Sequence, residues 1–235
     1  MTKESDIPII TIDGPSGSGK GTVSRAVAAA LGWHLLDSGA LYRLVALAAM
    51  RNRIDPADRA AHARIAEGMR VRFGVDASGK ERVWLEGSDV TGELRTEQAG
   101  EAASRVAAIP EVRTALLDRQ RRFAERPGLV ADGRDMGSVI FPGAALKIFL
   151  TASPDERARR RHKQLKEKGL DVSLPALSRE IAQRDARDTG REAAPLRAAD
   201  DAVHLDSTGL GIDEVVARIL RLARERFGAA PRRDG

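Results

Sequence analysis

The run GPSGSGKGT, from Gly14 to Thr22, combines closely spaced glycines with one lysine, a composition suited to wrapping backbone N–H groups around phosphate. Gly14, Gly19 and Lys20 fit the spacing G-x-x-x-x-G-K, in which the lysine lays a positive charge on the β- and γ-phosphates of a nucleotide. The next position, normally Ser or Thr, is Gly21. The hydroxyl comes one residue later, so Thr22 is not expected to take the usual place on magnesium.

Five further clusters could do chemistry. In DSGALYR, Asp37 to Arg43, Ser38 offers a hydroxyl at a helix start and Arg43 follows about one turn on, a fit to a monophosphate and equally to a plain N-cap. In DGRDMGS, Asp132 to Ser138, Arg134 can grip phosphate with both nitrogens while Asp135 accepts hydrogen bonds from an amine or a sugar hydroxyl. Arg157, Arg160 and Arg161 share one helix face, with Arg159 beside them; they read as a solvated face, or as a mobile lid that closes over a triphosphate. Arg184, Asp188 and Arg191 recur as a stripe whose plain reading is a surface ion-pair ladder. Ser104 and Arg113, on either side of Pro110, would not be selected by spacing alone.

The elements that must position these groups follow from periodicity. Ile7, Ile9, Ile10 and Ile12 predict a strand before the glycine loop, and Val23, Ala26, Val27, Ala30 and Leu31 a helix after it. Further strands are predicted at 34–37, 129–131, 144–150 and 202–205. Helices are predicted at 39–53, from Asp55 onward, at 96–108, 111–126, 154–168, 174–187 and 212–227. Val71, Phe73 and Val75, then Val83 and Leu85, alternate around a turn at 76–80 and predict an antiparallel hairpin inserted into a β–α chain. Strands interleaved with helices predict an α/β fold with a five-stranded parallel sheet covered on both faces. Ligands of such sheets bind at the carboxyl ends of the strands, and Asp37, Asp132 and Ser153 all fall there.

The 235 residues suffice for one domain with inserts. Cysteine is absent, which excludes disulfides, thiolate metal sites and a cysteine nucleophile. The opening MTKESDIPII reads as neither a secretory nor a transit signal, and no apolar run is long enough to span a membrane, so a cytoplasmic location is expected. The net charge of +5 suits an anionic partner, and only 3% aromatic residues argues for small phosphorylated ligands over single-stranded nucleic acid.

Together these residues resemble a bacterial-type cytidylate kinase, of the nucleoside monophosphate kinase group. The resemblance rests on GPSGSGKGT, which includes GKGT in place of GK[ST], and on HLLDSGALYR and LVADGRDMGSVIFP. It continues through KIFLTAS with RARRRHKQL, then RDARD and LDST, in the family's order over nearly the whole chain. It implies a P-loop NTPase three-layer fold with an inserted, β-containing NMP-binding region and a helical lid. The implied spans are a core at 7–37, 109–152 and 200–227, the NMP-binding region at 38–108 with its β insert at 67–95, a lid at 153–192 and a disordered tail at 228–235.

The implied reaction is ATP + CMP (or dCMP) giving ADP + CDP (or dCDP), with Mg2+ held mainly by the ATP phosphates and water. The resemblance assigns Gly14, Pro15, Ser16, Gly17, Ser18, Gly19, Lys20, Gly21 and Thr22 to ATP. It assigns Ser38, Tyr42, Arg43, Ser104, Arg113, Asp132, Arg134, Asp135, Arg184, Asp188 and Arg191 to CMP, with Ser104, Arg113 and Asp135 facing the cytosine. Catalysis falls to Lys20, Arg134, Arg157, Arg161 and Arg191. Partners are small-molecule nucleotides, with neither nucleic acid nor membrane, and a monomer is expected by analogy of fold. A different small-molecule kinase on the same fold is the nearer rival, to be separated by substrate screening; two others are weaker. A GTPase needs an N-K-x-D motif, and the one asparagine, Asn52, sits in RNR; an RNA binder would rest on the basic helix at 157–161 alone.

Overall fold

The structure, a computed structural model, describes residues 7–78, 80–167 and 169–228. The chain divides into two compact units, one running to Asp37 and resuming at Gln120, the other spanning Ser38–Arg119. Of the expected tail at 228–235, residues 229–235 lie outside the described residues, as do Gly79 in the hairpin turn and Lys168 at the end of the predicted lid helix.

The first unit is built on a parallel sheet in the order β2 (His34–Asp37), β6 (Leu129–Gly133), β1 (Ile9–Asp13), β7 (Leu146–Thr151), β8 (Val203–Asp206). All four pairings are parallel, and all five predicted strands are present within one to two residues of their expected ends. Ile10 and Ile12 point to one face and are fully buried with Val27, Val130, Ile148, Leu150 and Ile219. Each such aliphatic side chain removed from water contributes about 2 kcal/mol. That face is covered by α1 (Lys20–Leu31) and α9 (Ile212–Phe227), which pack on each other. Thr11 points to the opposite face and is also buried, as a strand inside a two-sided sheet requires.

Register sets the working edge. Asp132 pairs with Asp37 of β2 and Ile12 of β1, and Asp13 pairs with Gly133, so three acids lie along the carboxyl ends of adjacent strands. β6 does not end at Ala131 as its apolar run suggests; the ladder continues through Asp132 and Gly133. A π-helical turn, Met136–Ile140, follows it directly and has no counterpart in the predicted elements. α7 (Pro154–Glu167) and α8 (Leu174–Thr189) then pack side by side. α8 stops at Gly190, so Arg191 lies beyond the helix and the three-residue stripe expected there is not a helical one.

The second unit carries α2 (Ser38–Arg51), α3 (Arg59–Gly68), β3 (Val71–Val75), β4 (Glu81–Leu85), β5 (Ser88–Asp89), α4 (Thr91–Leu94), α5 (Glu97–Val106) and most of α6 (Pro110–Arg121). The predicted hairpin is β3 and β4, in register Phe73 to Val83, with short β5 added as a third antiparallel strand. α3 begins later than Asp55 predicts. Asp55 accepts the N–H of Ala57 in a local turn, whereas Asp58 accepts the N–H of Ala61 and caps the helix. α2 and α5 pack against each other and form the unit's main helical contact.

Candidate active site

The glycine loop leaves β1 and ends where α1 begins. A Cβ at Gly14 would lie 2.0 Å from the carbonyl oxygen of Leu150, so β7 passes too close for any side chain. Gly19, in the left-handed region at φ 89°, is the N-cap of α1 and brings no side chain to its first turn. The first N–H groups of a 12-residue helix are thereby left for an anion. Ser18 is 1% exposed and its hydroxyl is buried without a hydrogen-bond partner, a further polar group suited to a bound phosphate. The loop fits the triphosphate assigned to it.

Lys20 folds back over this loop, its Nζ donating to the carbonyl of Pro15 at 3.0 Å. Desolvation, and then the Arg134 guanidinium, pull its ammonium down to about 7, against the attraction of Asp132. A triphosphate supplies the negative charge that restores it. Asp132 itself is buried, and its Oδ2 would lie 3.2 Å from a Cβ on Gly21. The missing side chain after Lys20 therefore coincides with a carboxylate brought in from β6. Thr22 is exposed.

Asp188, 1% exposed, collects two of the predicted arginines. Its Oδ2 accepts Nε of Arg134 at 2.9 Å and its Oδ1 accepts Nη2 of Arg191 in a very close contact. Burial pushes the Asp188 carboxyl up, but Arg134 and Arg191 outweigh it and hold it at about 2. Arg184, one helical turn before Asp188, adds to the same positive field. Nε of Arg191 is buried with no hydrogen-bond partner, as expected of a guanidinium shaped for an anion. The electrostatic couplings of Lys20 reach Arg134, Asp132, Arg184 and Asp188, so this unit gathers those predicted residues around the loop.

The basic face of α7 splits in two. Arg157 is 4% exposed; it donates to the carbonyls of Ala152 (3.1 Å) and Ser16 (3.0 Å) and pairs with Asp185 at 2.6 Å. Arg160 donates to the carbonyl of Ser18 at 3.2 Å and to that of Ser207 at 2.6 Å, while its Nε binds Glu156 at 2.8 Å. These two hold the glycine loop from outside. Arg161 reaches Gln164 at 3.1 Å.

In the second unit the predicted acceptor residues sit on α2, α5 and α6. Ser38, Tyr42 and Ser104 are buried, Arg43 is half-buried, and the Arg113 guanidinium, 9% exposed, stands 5.8 Å from the centre of the Tyr42 ring while donating to the carbonyl of Ala107.

Sequence reasoning missed Asp13. Its two carboxylate oxygens accept the N–H groups of Met136 and Gly137, each at 2.8 Å, in the turn that follows Arg134 and Asp135. The signal available was an acid ending an apolar strand directly before a glycine.

The model of the family described as cytidylate kinase matches residues 10–225 of the chain. A cytidylate kinase of Klebsiella pneumoniae (strain 342) is 55% identical over 226 residues, covering 96% of this chain and 99% of that protein. One of Stutzerimonas stutzeri (strain A1501) is 58% identical over 221 residues, covering 94% and 96%. Among solved structures, an uncharacterized protein from Eubacterium ventriosum ATCC 27560 shares the fold with a TM-score of 0.51 at 11% identity, covering 93% of this chain and 99% of that one.

Proposed function

The chain belongs to the cytidylate kinase family, and from that premise we propose how its residues divide the work of phosphorylating CMP. It is an ATP-dependent kinase with CMP as phosphoryl acceptor, giving ADP and CDP. We extend the acceptors to dCMP, and assign the protein to the cytoplasm as a monomer.

The observation that carries the assignment of roles is the gathering of Lys20, Arg134, Asp188 and Arg191 at the mouth of the glycine loop. The residues from Gly14 to Thr22 take the ATP phosphates, with Lys20 on the transferring end. Asp132, beside Gly21, is the acid suited to hold the magnesium that accompanies ATP, through water and phosphate oxygens, where the ion would neutralise part of the phosphate charge.

Arg134 and Arg191, both held on the Asp188 carboxylate, neutralise the phosphate of CMP, and Arg184 strengthens that field. Arg157 serves the transfer by fixing the loop; Arg161 is the α7 arginine assigned to the triphosphate. Ser38 and Arg43 bind the monophosphate, with Tyr42 packed beneath Arg113. Ser104, Arg113 and Asp135 supply the hydroxyl, donor and acceptor that cytosine requires. A phosphate monoester is largely ionised at neutral pH, its second pKa being near 6, so the attacking oxygen needs no general base. Catalysis is then alignment and charge neutralisation.

A coupled ADP-release assay with CMP, dCMP, UMP, AMP and GMP tests the base reading. Fast turnover with CMP and dCMP alone is expected; equal use of UMP would remove Ser104, Arg113 and Asp135 from the role given them.

A further inference from the structure

We propose that Asp13 is a positioning residue for the acceptor side of the reaction: it fixes Arg134 and Asp135 by capping, from the neighbouring strand, the turn that follows them. The inference rests on the CMP reading given above and adds to it a residue that touches neither nucleotide.

Arg134 and Asp135 lie in the short link between β6 and the π-helical turn Met136–Ile140. Asp135 occupies the N-cap position of that turn, yet its side chain makes no capping hydrogen bond. The work is done by Asp13, whose Oδ1 accepts the N–H of Met136 and whose Oδ2 accepts the N–H of Gly137. The same turn is closed at its other end by the backbone, since the Asp135 carbonyl accepts Val139 and the Met136 carbonyl accepts Phe141.

The arrangement is specific to a carboxylate. Both N–H groups are buried with their acceptor, which is 5% exposed. An asparagine has one acceptor oxygen and would turn its NH2 toward the second N–H. Desolvation pushes the Asp13 carboxyl up, the two N–H bonds oppose this, and nearby Asp135 and Asp132 push it further, so a buried acid is kept here at a cost. Sterics tighten the fit: a Cβ on Gly137 would lie 2.8 Å from the Thr11 hydroxyl and 3.1 Å from the Lys147 chain. The turn has one seat, and β1 provides it.

The test is steady-state kinetics of Asp13→Asn and Asp13→Ala with CMP, UMP and ATP varied in turn. Each buried N–H left without an acceptor corresponds to about tenfold in a positioned step. Asp13→Asn should lower kcat/KM for CMP about tenfold and Asp13→Ala about a hundredfold, with the CMP over UMP preference shrinking in that order and KM for ATP within about threefold of the parent. A purely structural acid would lower turnover with both pyrimidines equally. A folded Asp13→Asn with parental kcat/KM and parental preference overturns the inference. Amide hydrogen exchange of the nucleotide-free parent protein decides independently of any variant: Met136 and Gly137 should exchange as slowly as the interior of β6, and fast exchange at both also overturns it. A parent protein that does not prefer CMP to UMP would instead overturn the base reading itself, before any variant is measured.

Discussion

Nη1 of Arg157 donates to the carbonyl oxygen of Ser16 at 3.0 Å, so a helix arginine grips the phosphate loop by its backbone, from the side away from the N–H groups. The carbonyls of such a loop must point outward if its N–H groups are to point inward. Arg157, and Arg160 on the Ser18 carbonyl, satisfy those outward groups and keep the loop in its binding shape before nucleotide arrives. Arg157→Ala strips the Ser16 carbonyl and leaves Asp185 without its partner, a loss of about 2 to 4 kcal/mol. Thermal unfolding should show a Tm lower by about 5 °C or more, and KM for ATP should rise about tenfold with KM for CMP little changed. A variant with parental Tm and ATP affinity would mean that the loop holds its own shape.

Lys20→Met keeps the length of the side chain and removes its charge. Turnover should fall about a hundredfold or more in the coupled assay, the usual scale for one transition-state charge donor. Near-normal kcat would show that the charge on Lys20 is not used in the transfer.

The nucleotide-free loop holds Lys20 at about 7, below an unfolded or phosphate-bound lysine. Above that pH the free protein has lost the proton that the bound form retains, so Mg-ATP binding takes up a proton at pH 8 and little or none at pH 6. Calorimetry at pH 8 in two buffers of different ionisation enthalpy reads this as unequal apparent heats. Equal heats would count against the depressed lysine.

Asp188 titrates at about 2 in the folded protein, below its ordinary 3.8. Its stabilising contribution is therefore full above about pH 4 and lost as the pH falls toward 2, amounting to about 2 kcal/mol. Asp188→Asn should be less stable than the parent at neutral pH, with the gap narrowing in acid, and its KM for CMP should rise because Arg134 and Arg191 then repel each other. Chemical denaturation at pH 7 and pH 3 measures the first, initial rates the second; a gap that stays constant would place the stabilisation elsewhere.

The sheet was legible because each strand is a short apolar run ending in a polar residue, and the loop because two glycines and a lysine stand at a fixed spacing between two periodic segments. Ser104 and Arg113 carried no local signal; only the resemblance picked them out. The π-helical turn escaped because five residues hold no periodicity, and with it went the reason for Asp13. The arginines of α7 were read as one face, whereas Arg157 and Arg160 reach carbonyls 141 and 142 residues away, and no local pattern encodes such a distance. Arg184, Asp188 and Arg191 were read as one stripe although the helix was predicted to end at 187; α8 ends at Thr189, and Arg191 meets Asp188 from beyond it.

The strand order β2-β6-β1-β7-β8 sets a timetable for the chain as it is made. β1 is the first strand written, yet both its neighbours, β6 and β7, are encoded after residue 128, beyond the whole of the second unit. Until those segments emerge, Ile10 and Ile12 have no ladder to join, and closing it means drawing together ends more than a hundred residues apart. The glycine loop is thus among the earliest parts synthesised and among the last able to assume its shape, with all of Ser38–Arg119 made in between. A nascent chain of this topology has all of Ser38–Arg119 made before β1 has the neighbours that shape its glycine loop.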